Sequence, residues 1–412
     1  MMFDLNGSGN EYFVLSEYYS DSLPCNASQK TLVIIYVYYI VSFERVCMIR
    51  EMLEGSYDYY IITSNKKMAM LLDEKNCSGR TIMKPNRGRD ISALLVTVKD
   101  LISNYKYFCF VHDKQYNDKS YPHKYKNDVS NWSNDLWENS IASRHFINNV
   151  LNIFENRSDL GLLCVPGPFG MHLNHWYNNG WADNYSNVIN LAKLLDIHIS
   201  IDQNRPSPSL GTVFWARTDA LKKLFRYNWK YDDFPEEPLA SDGTISHAIE
   251  RILPYVASDA GYNTGIIINE KNAAHRLAYI QHYSQKIFYI SEKYLGIGTF
   301  SDIEHFSKKE KEIIKFAGCY KKIWIYGAGA YGVRWYYMLL KNGIITKGFV
   351  VSDKNYRTLN GSMQTSILDD IHIDNDTGII VAAGKKTSLK LKEELEKRNI
   401  VNYIGIHDVE DL

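Results

Sequence analysis

The sequence predicts an α/β protein in two blocks: a mostly parallel sheet domain over residues 30–270 and a small βαβ domain over residues 320–412. Three observations predict it. The β-branched and aromatic runs at 31–40, 57–63 and 107–112 lack polar alternation, which is how strands buried on both faces read. Stretches of helical spacing separate them, and strands alternating with helices build parallel sheets covered on both sides. A fresh apolar run at 322–326 then leads into a glycine-rich turn and another helix.

In chain order, residues 1–29 are polar and Ser/Asn-rich and read as a tail or capping segment. After the strand at 31–40, helical spacing covers 43–54 and 66–73, with strands at 57–63 and 81–84. An amphipathic helix is expected over 91–103 and a strand over 107–112. Between 113 and 206 lie one helix-like stretch (131–154), a short strand (160–165) and long polar and aromatic loops. Residues 211–216 read as a strand and 220–225 as a helix; Pro235 and Pro238 punctuate a loop. Ser241 or Asp242 can cap the helix that runs to 252. Residues 271–319 form a helical connector, and strands at 322–326, 348–352 and 379–382 with helices to 341 and over 389–398 complete the second block.

Composition narrows the function. The 412 residues carry 47 basic and 47 acidic side chains, so no net charge points to nucleic acid. The longest apolar run, 32–41, is half of the ~20 residues a membrane span needs. Asp4 and Asn6 stand where a secretory signal would be basic and then apolar. Six cysteines lie scattered without a Cys-x-x-Cys pair, the pattern of reduced cytoplasmic thiols. The 31 tyrosines and 8 tryptophans offer flat faces for sugar rings or bases, although a compositional bias accounts for them equally well.

The chemistry-bearing residues fall into four groups. Asn86, Arg87, Gly88, Arg89 and Asp90 form a turn into a helix, and the next strand ends in His112, Asp113 and Lys114. A parallel sheet presents such residues at its carboxyl edge, where ligands bind. Glu236, Glu237, Asp242, His247, Glu250 and Arg251 form the second group, with carboxylates suited to general-base work. Trp132, Trp137, Glu138 and Asn139, with Trp215 and a loop carrying His172, His175, Trp176 and Trp181, are candidates for an acceptor platform or for core packing. The two histidines have no carboxylate at metal-ligand spacing. Last, Gly327, Gly329 and Gly332 open a Rossmann-like turn, with Asp353 placed to meet a ribose hydroxyl.

The segments NRGRDISALL (86–95), FCFVHDK (108–114), GTVFWAR (211–217) and SDGTISHAIERILPYVASDAGY (241–262) resemble the rhamnan synthesis F family over roughly residues 31–270. The resemblance implies a glycosyltransferase A-like fold and transfer of a sugar, with L-rhamnose from dTDP-L-rhamnose as one donor, in bacterial surface-polysaccharide synthesis. It implies a donor site at Asn86, Arg87, Gly88, Asp90, His112, Asp113 and Lys114, and an inverting base at Asp242 with Glu237 in reserve. His247, Glu250 and Arg251 then belong to substrate contacts or a supporting network. Related glycosyltransferases hold Mg2+ or Mn2+ on an Asp-x-Asp; here that position reads His-Asp-Lys, which leaves Asp113 as the one metal candidate and adds a fixed cation. The acceptor is then a glycan, free or lipid-linked, at the inner face of a membrane that the chain does not span. The alternative reading is a non-catalytic nucleotide-sugar or carbohydrate sensor that works through the C-terminal module.

Overall fold

A computed structural model describes residues 11–21, 30–75, 78–115, 126–168, 181–203, 207, 209–240, 242–295, 298–352 and 365–407. The chain divides into two compact units, Met1–Ile280 and Gln281–Leu412. The boundary falls inside the helix Glu270–Leu295, within the stretch read as a helical connector.

In the first unit the sheet contains β1 (Glu11–Leu15), β2 (Thr31–Tyr36), β3 (Asp58–Thr63), β4 (Thr81–Met83), β5 (Tyr107–His112), β6 (Leu160–Cys164), β7 (Phe214–Arg217) and β8 (Asn263–Asn269). Their spatial order is β1-β8-β6-β7-β5-β2-β3-β4. All pairings are parallel except those of β7, which runs antiparallel to both β5 and β6. Alternate residues of the buried strands supply two cores. Leu32, Ile34, Phe108 and Phe110 pack with the helix Ile245–Asp259 on one face. Val33, Ile35, Cys109 and Val111 pack with the helices Lys126–Ile141 and Arg144–Asn156 on the other. The second unit holds β9 (Lys322–Tyr326), β10 (Gly348–Val351), β11 (Thr365–Ile367), β12 (Thr377–Val381) and β13 (Tyr403–Gly405). They form an all-parallel sheet ordered β11-β10-β9-β12-β13. The α/β class expected from sequence is the class observed.

Several elements differ from the sequence expectation. The polar N-terminal segment contains β1, an edge strand whose residues alternate between half-buried and exposed. Gly265 of β8 leaves room for the Phe13 ring, which a Cβ there would meet at 2.8 Å. The run at 31–40 stops being a strand at Tyr36, because the amides of Tyr38 and Tyr39 turn to the Asp113 carboxylate. The helix expected at 91–103 is interrupted: Arg89–Ser92 is α-helical, Ala93–Thr97 forms a π turn, and Lys99–Ile102 resumes. Such turns re-aim side chains and recur at functional sites. The stretch 131–154 is two helices, the second started by Ser143, whose hydroxyl accepts from the Phe146 amide at 3.1 Å. Strand β8 lay unread in the sequence.

The tryptophans also separate. Trp137 and Trp215 belong to the core, and Trp215 donates from Nε1 to the Ser140 carbonyl at 2.9 Å. They support the sheet and present no platform to a ligand.

Candidate functional site

The carboxyl ends of β2, β3, β4 and β5 carry one polar cluster, and the turn at Asn86–Asp90 is its first part. Gly88 sits at φ +69°, and a Cβ on it would lie 2.6 Å from the Phe234 ring. Only glycine fits both the backbone and the space. The turn is pinned from beneath by Lys84, whose Nζ donates to the carbonyls of Pro85 (2.8 Å) and Arg87 (3.2 Å) under the rings of Tyr36 and Tyr231. Lys84 is 4% exposed. Burial pushes its ammonium down to about 8, against the opposing pull of Asp90 and Glu237.

Arg87 and Arg89 tie this turn to a distant loop. Arg87 donates from Nε to the Phe234 carbonyl and from Nη1 to Asp232, each at 2.7 Å. Arg89 grips Glu237 with Nε and Nη2, both at 2.9 Å. Burial raises the Glu237 carboxyl, but Arg89 and the Leu239 amide outweigh it and hold Glu237 below the ordinary carboxylate range. Asn86 accepts from the Ser64 hydroxyl at 3.1 Å.

At the end of β5, Asp113 is 5% exposed, and its two oxygens accept the amides of Tyr38 (3.0 Å) and Tyr39 (2.8 Å). Burial raises its carboxyl despite these donors. Asp113 therefore stitches the ends of β2 and β5 together. Its donor set does not suit a divalent ion, since each oxygen already holds a backbone amide and no second carboxylate joins them among the described residues. Among the described residues no group of three or more His, Cys, Asp or Glu side chains comes together to hold a metal. His112 places Nδ1 2.8 Å from the Asp113 carbonyl and Nε2 2.5 Å from the Gly211 carbonyl, with Asp90 at 3.7 Å. Lys114 lays Nζ 4.0 Å above the Trp132 ring, and the Ser133 hydroxyl donates to its carbonyl at 2.6 Å.

A continuous polar chain joins this end to Asp242. Beside Gly211, Thr212 donates to Glu250 at 3.2 Å; Glu250 faces Arg251 at 3.5 Å, and Arg251 faces Asp242 at 3.7 Å. Asp242 also accepts from the Asn184 side chain (2.8 Å) and the Asp183 amide (3.2 Å). Burial works against its charge, yet these donors with Arg251 and His247 hold Asp242 below its ordinary value. Asp242 is not the helix cap. Thr244 is, in a capping box with His247 that frees the Asp242 carboxylate for the cluster. Ser241 lies outside the described residues. Burial lowers the His247 imidazole, with Arg251 and Lys114 acting in the same direction.

His172, His175, Trp176 and Asp353 also lie outside the described residues. In the second unit, Gly329 caps the helix Ala330–Lys341. Gly327 sits at φ +114°, where a Cβ would meet the Ala382 carbonyl oxygen at 2.5 Å, and a Cβ on Gly332 would lie 1.8 Å from the Gly327 carbonyl oxygen. Both glycines are required by close backbone approach. Nearby, Glu394 accepts from the hydroxyls of Tyr326 (2.6 Å) and Ser352 (2.8 Å).

Two residues of the first cluster, Lys84 and Tyr36, are not among the candidates that the sequence singles out. Lys84 follows β4 directly, so its place at the carboxyl edge was readable; its burial was not, because a lysine at a strand end usually reaches solvent.

The family described as Rhamnan synthesis protein F has a model that matches residues 4–262. The match covers more than half of the chain and includes every residue of the cluster from Tyr36 to Asp242, Glu250 and Arg251. No curated protein and no solved structure matches the chain. The chain belongs to the rhamnan synthesis protein F family, a family of polysaccharide synthesis.

Proposed function

We propose that this chain transfers a sugar from a nucleotide-diphosphate donor to a glycan acceptor, with inversion at the anomeric carbon. The observation that carries the reading is the convergence of Lys84, Arg89, Asp90, His112 and Lys114 at one sheet edge, joined through Thr212, Glu250 and Arg251 to Asp242. Diphosphate charge must be neutralised, and fixed cations can do that work. Arg89, half-exposed beside Glu237, and Lys114, above the Trp132 ring, are the cations that would meet the diphosphate, and Lys84 supports the turn from below. Asp242 takes the proton of the attacking acceptor hydroxyl. The new bond forms between that oxygen and the anomeric carbon, the bond from carbon to the diphosphate oxygen breaks, and the nucleoside diphosphate leaves with the electron pair. An L-rhamnosyl donor agrees with the family.

The test is release of nucleoside diphosphate from dTDP-L-rhamnose, UDP-sugars and GDP-sugars by the full chain with an oligosaccharide acceptor. Turnover of one donor, lost in Arg89→Ala, supports the reading. No turnover with any donor, together with melting points shifted by donors to the same extent in wild type and Arg89→Ala, overturns it in favour of a sensor that works through the second unit. The Glu394 and glycine-turn region, on a parallel sheet whose order reverses at β9, is where such a sensor would hold a nucleotide.

A further inference from the structure

We infer that a cleft between the helix Lys126–Ile141 and the first half of the helix Glu270–Leu295 is a carbohydrate subsite that receives the glycan acceptor. The word acceptor rests on the transferase reading above; the carbohydrate assignment rests on the cleft itself. The cleft encloses about 440 Å³, inside the ~300–1,000 Å³ of small-molecule sites. It lies within the first unit and at the carboxyl edge of the same sheet. Lys271 and Asn272 follow the last residue of β8, and Arg276 reaches the carbonyl of Gly167, beyond the end of β6, at 3.3 Å. Trp132 joins the cleft to the cluster described above, because it lines the cleft while its ring carries the Lys114 ammonium.

The chemistry of the walls selects the ligand. Asp135 is already neutralised, accepting from Arg276 at 2.8 Å and from the Asn272 amide at 2.6 Å, which leaves Glu138 as the lining carboxylate without an ion pair among the described residues, an acceptor for hydroxyl groups. Among the described residues of the lining, the buried polar atoms without a hydrogen-bond partner include the Trp132 Nε1 donor and the Asn272 Oδ1 acceptor. Both residues are more than nine-tenths buried, at 7% and 9% exposure. A buried donor and a buried acceptor without partners, on two residues that line one cleft, are costly unless a small shift lets something satisfy them. Sugar hydroxyls both donate and accept, so one saccharide satisfies both at once. Tyr279 adds an aromatic face, the surface on which pyranose rings lie.

The test uses the full chain with no nucleotide, so it succeeds or fails apart from donor turnover. An α-linked L-rhamnose trisaccharide, with maltotriose beside it, is titrated by calorimetry. Hydroxyl-radical footprinting of the wild-type chain then reads which side chains the sugar shields. The expected result is saturable binding with protection of Trp132 and Tyr279. Asn272→Ala should weaken it about tenfold, the loss of one buried hydrogen bond to ligand. Footprinting of wild type keeps the test decisive where that variant folds poorly. No binding of either trisaccharide, or binding that leaves Trp132 and Tyr279 unshielded, overturns the assignment. Protection of the cleft in a chain that turns over no donor keeps the subsite and sinks the transferase reading. Donor turnover with an unshielded cleft does the reverse.

Discussion

The carboxyl edges of the two sheets use glycine for opposite ends. In the first, Gly88 yields its space to the side chain of Phe234, which comes from a remote loop. The turn it permits sends Arg87 and Arg89 to partners 145 and 148 residues away in sequence. In the second, the missing side chains of Gly327 and Gly332 face carbonyl oxygens of neighbouring backbone. Around the first edge lie the cations Lys84, Arg87, Arg89, Lys114 and Arg251 and the carboxylates Asp90, Asp113, Asp232, Glu237, Glu250 and Asp242. Around the second, Tyr326 and Ser352 share one carboxylate, Glu394. One glycine opens the backbone to a charged site and the others let strand and helix close on each other. Fold class is common to both, so it is the side chains at the edge that assign the work.

The largest effect expected from that contrast is on rate. Asp242→Asn should lower donor turnover by about 10²–10⁴-fold, the range for removing a general base. Glu394→Gln, the isosteric change at the second edge, should leave it within experimental error. Equal losses in both would show that the second edge takes part in the chemistry. Next in size is Gly332→Ala. Its Cβ would fall 1.8 Å from a backbone oxygen that has no flexible end to give way, so the overpacking cost sits at or above ~3 kcal/mol. Urea unfolding followed by hydrogen exchange should show that loss in the amides of β9 and β12, with those of β2 and β5 unchanged.

What the sequence revealed follows from burial. Strands covered on both faces leave unbroken apolar runs, so β2, β3 and β5 could be read directly. The edge strand β1 exposes Tyr12 and Val14 and sits in a polar segment, so its alternation was lost among its flanks. In β8 only three isoleucines follow Thr264 and Gly265, too short a run to stand out. The antiparallel direction of β7 is a property of its connections and has no residue signature. The same holds for the site. Residues contiguous in sequence, such as those at 86–90 and 112–114, announced themselves. The Arg89–Glu237 pair and the chain from Thr212 through Arg251 to Asp242 are tertiary pairings with no local pattern. Asp113 was read as a metal candidate because its position matched; its occupation by two loop amides becomes visible only when β2 and β5 lie side by side.

That occupation gives the third prediction. Asp113→Ala removes an anionic acceptor and leaves the amides of Tyr38 and Tyr39 with no partner there, a loss of about 2–3 kcal/mol. Asp113→Asn keeps one acceptor oxygen and should cost roughly half as much. A metal role would instead give both variants the same stability as wild type in chelator, with activity restored by added Mn2+ in neither.

The smallest effect belongs to Lys84 and is read as a slope against pH. Its folded value is near 8, whereas an unfolded lysine titrates near ~10.4. Between these values the unfolded chain binds a proton at this position that the folded chain does not, so stability rises with pH across that window. Below about 8 both states are protonated and the folded state carries the full burden of a buried ammonium. That burden is limited, because the carbonyls of Pro85 and Arg87 and the ring of Tyr36 stay with the charge. Lys84→Met removes the proton from both states. The difference in urea midpoint between wild type and Lys84→Met should therefore move in favour of wild type from pH 8 to pH 10 and stay level from pH 6 to pH 7.5. A flat difference across the whole range would mean that the ammonium reaches water, and the turn at Asn86–Asp90 would then have lost its support from beneath.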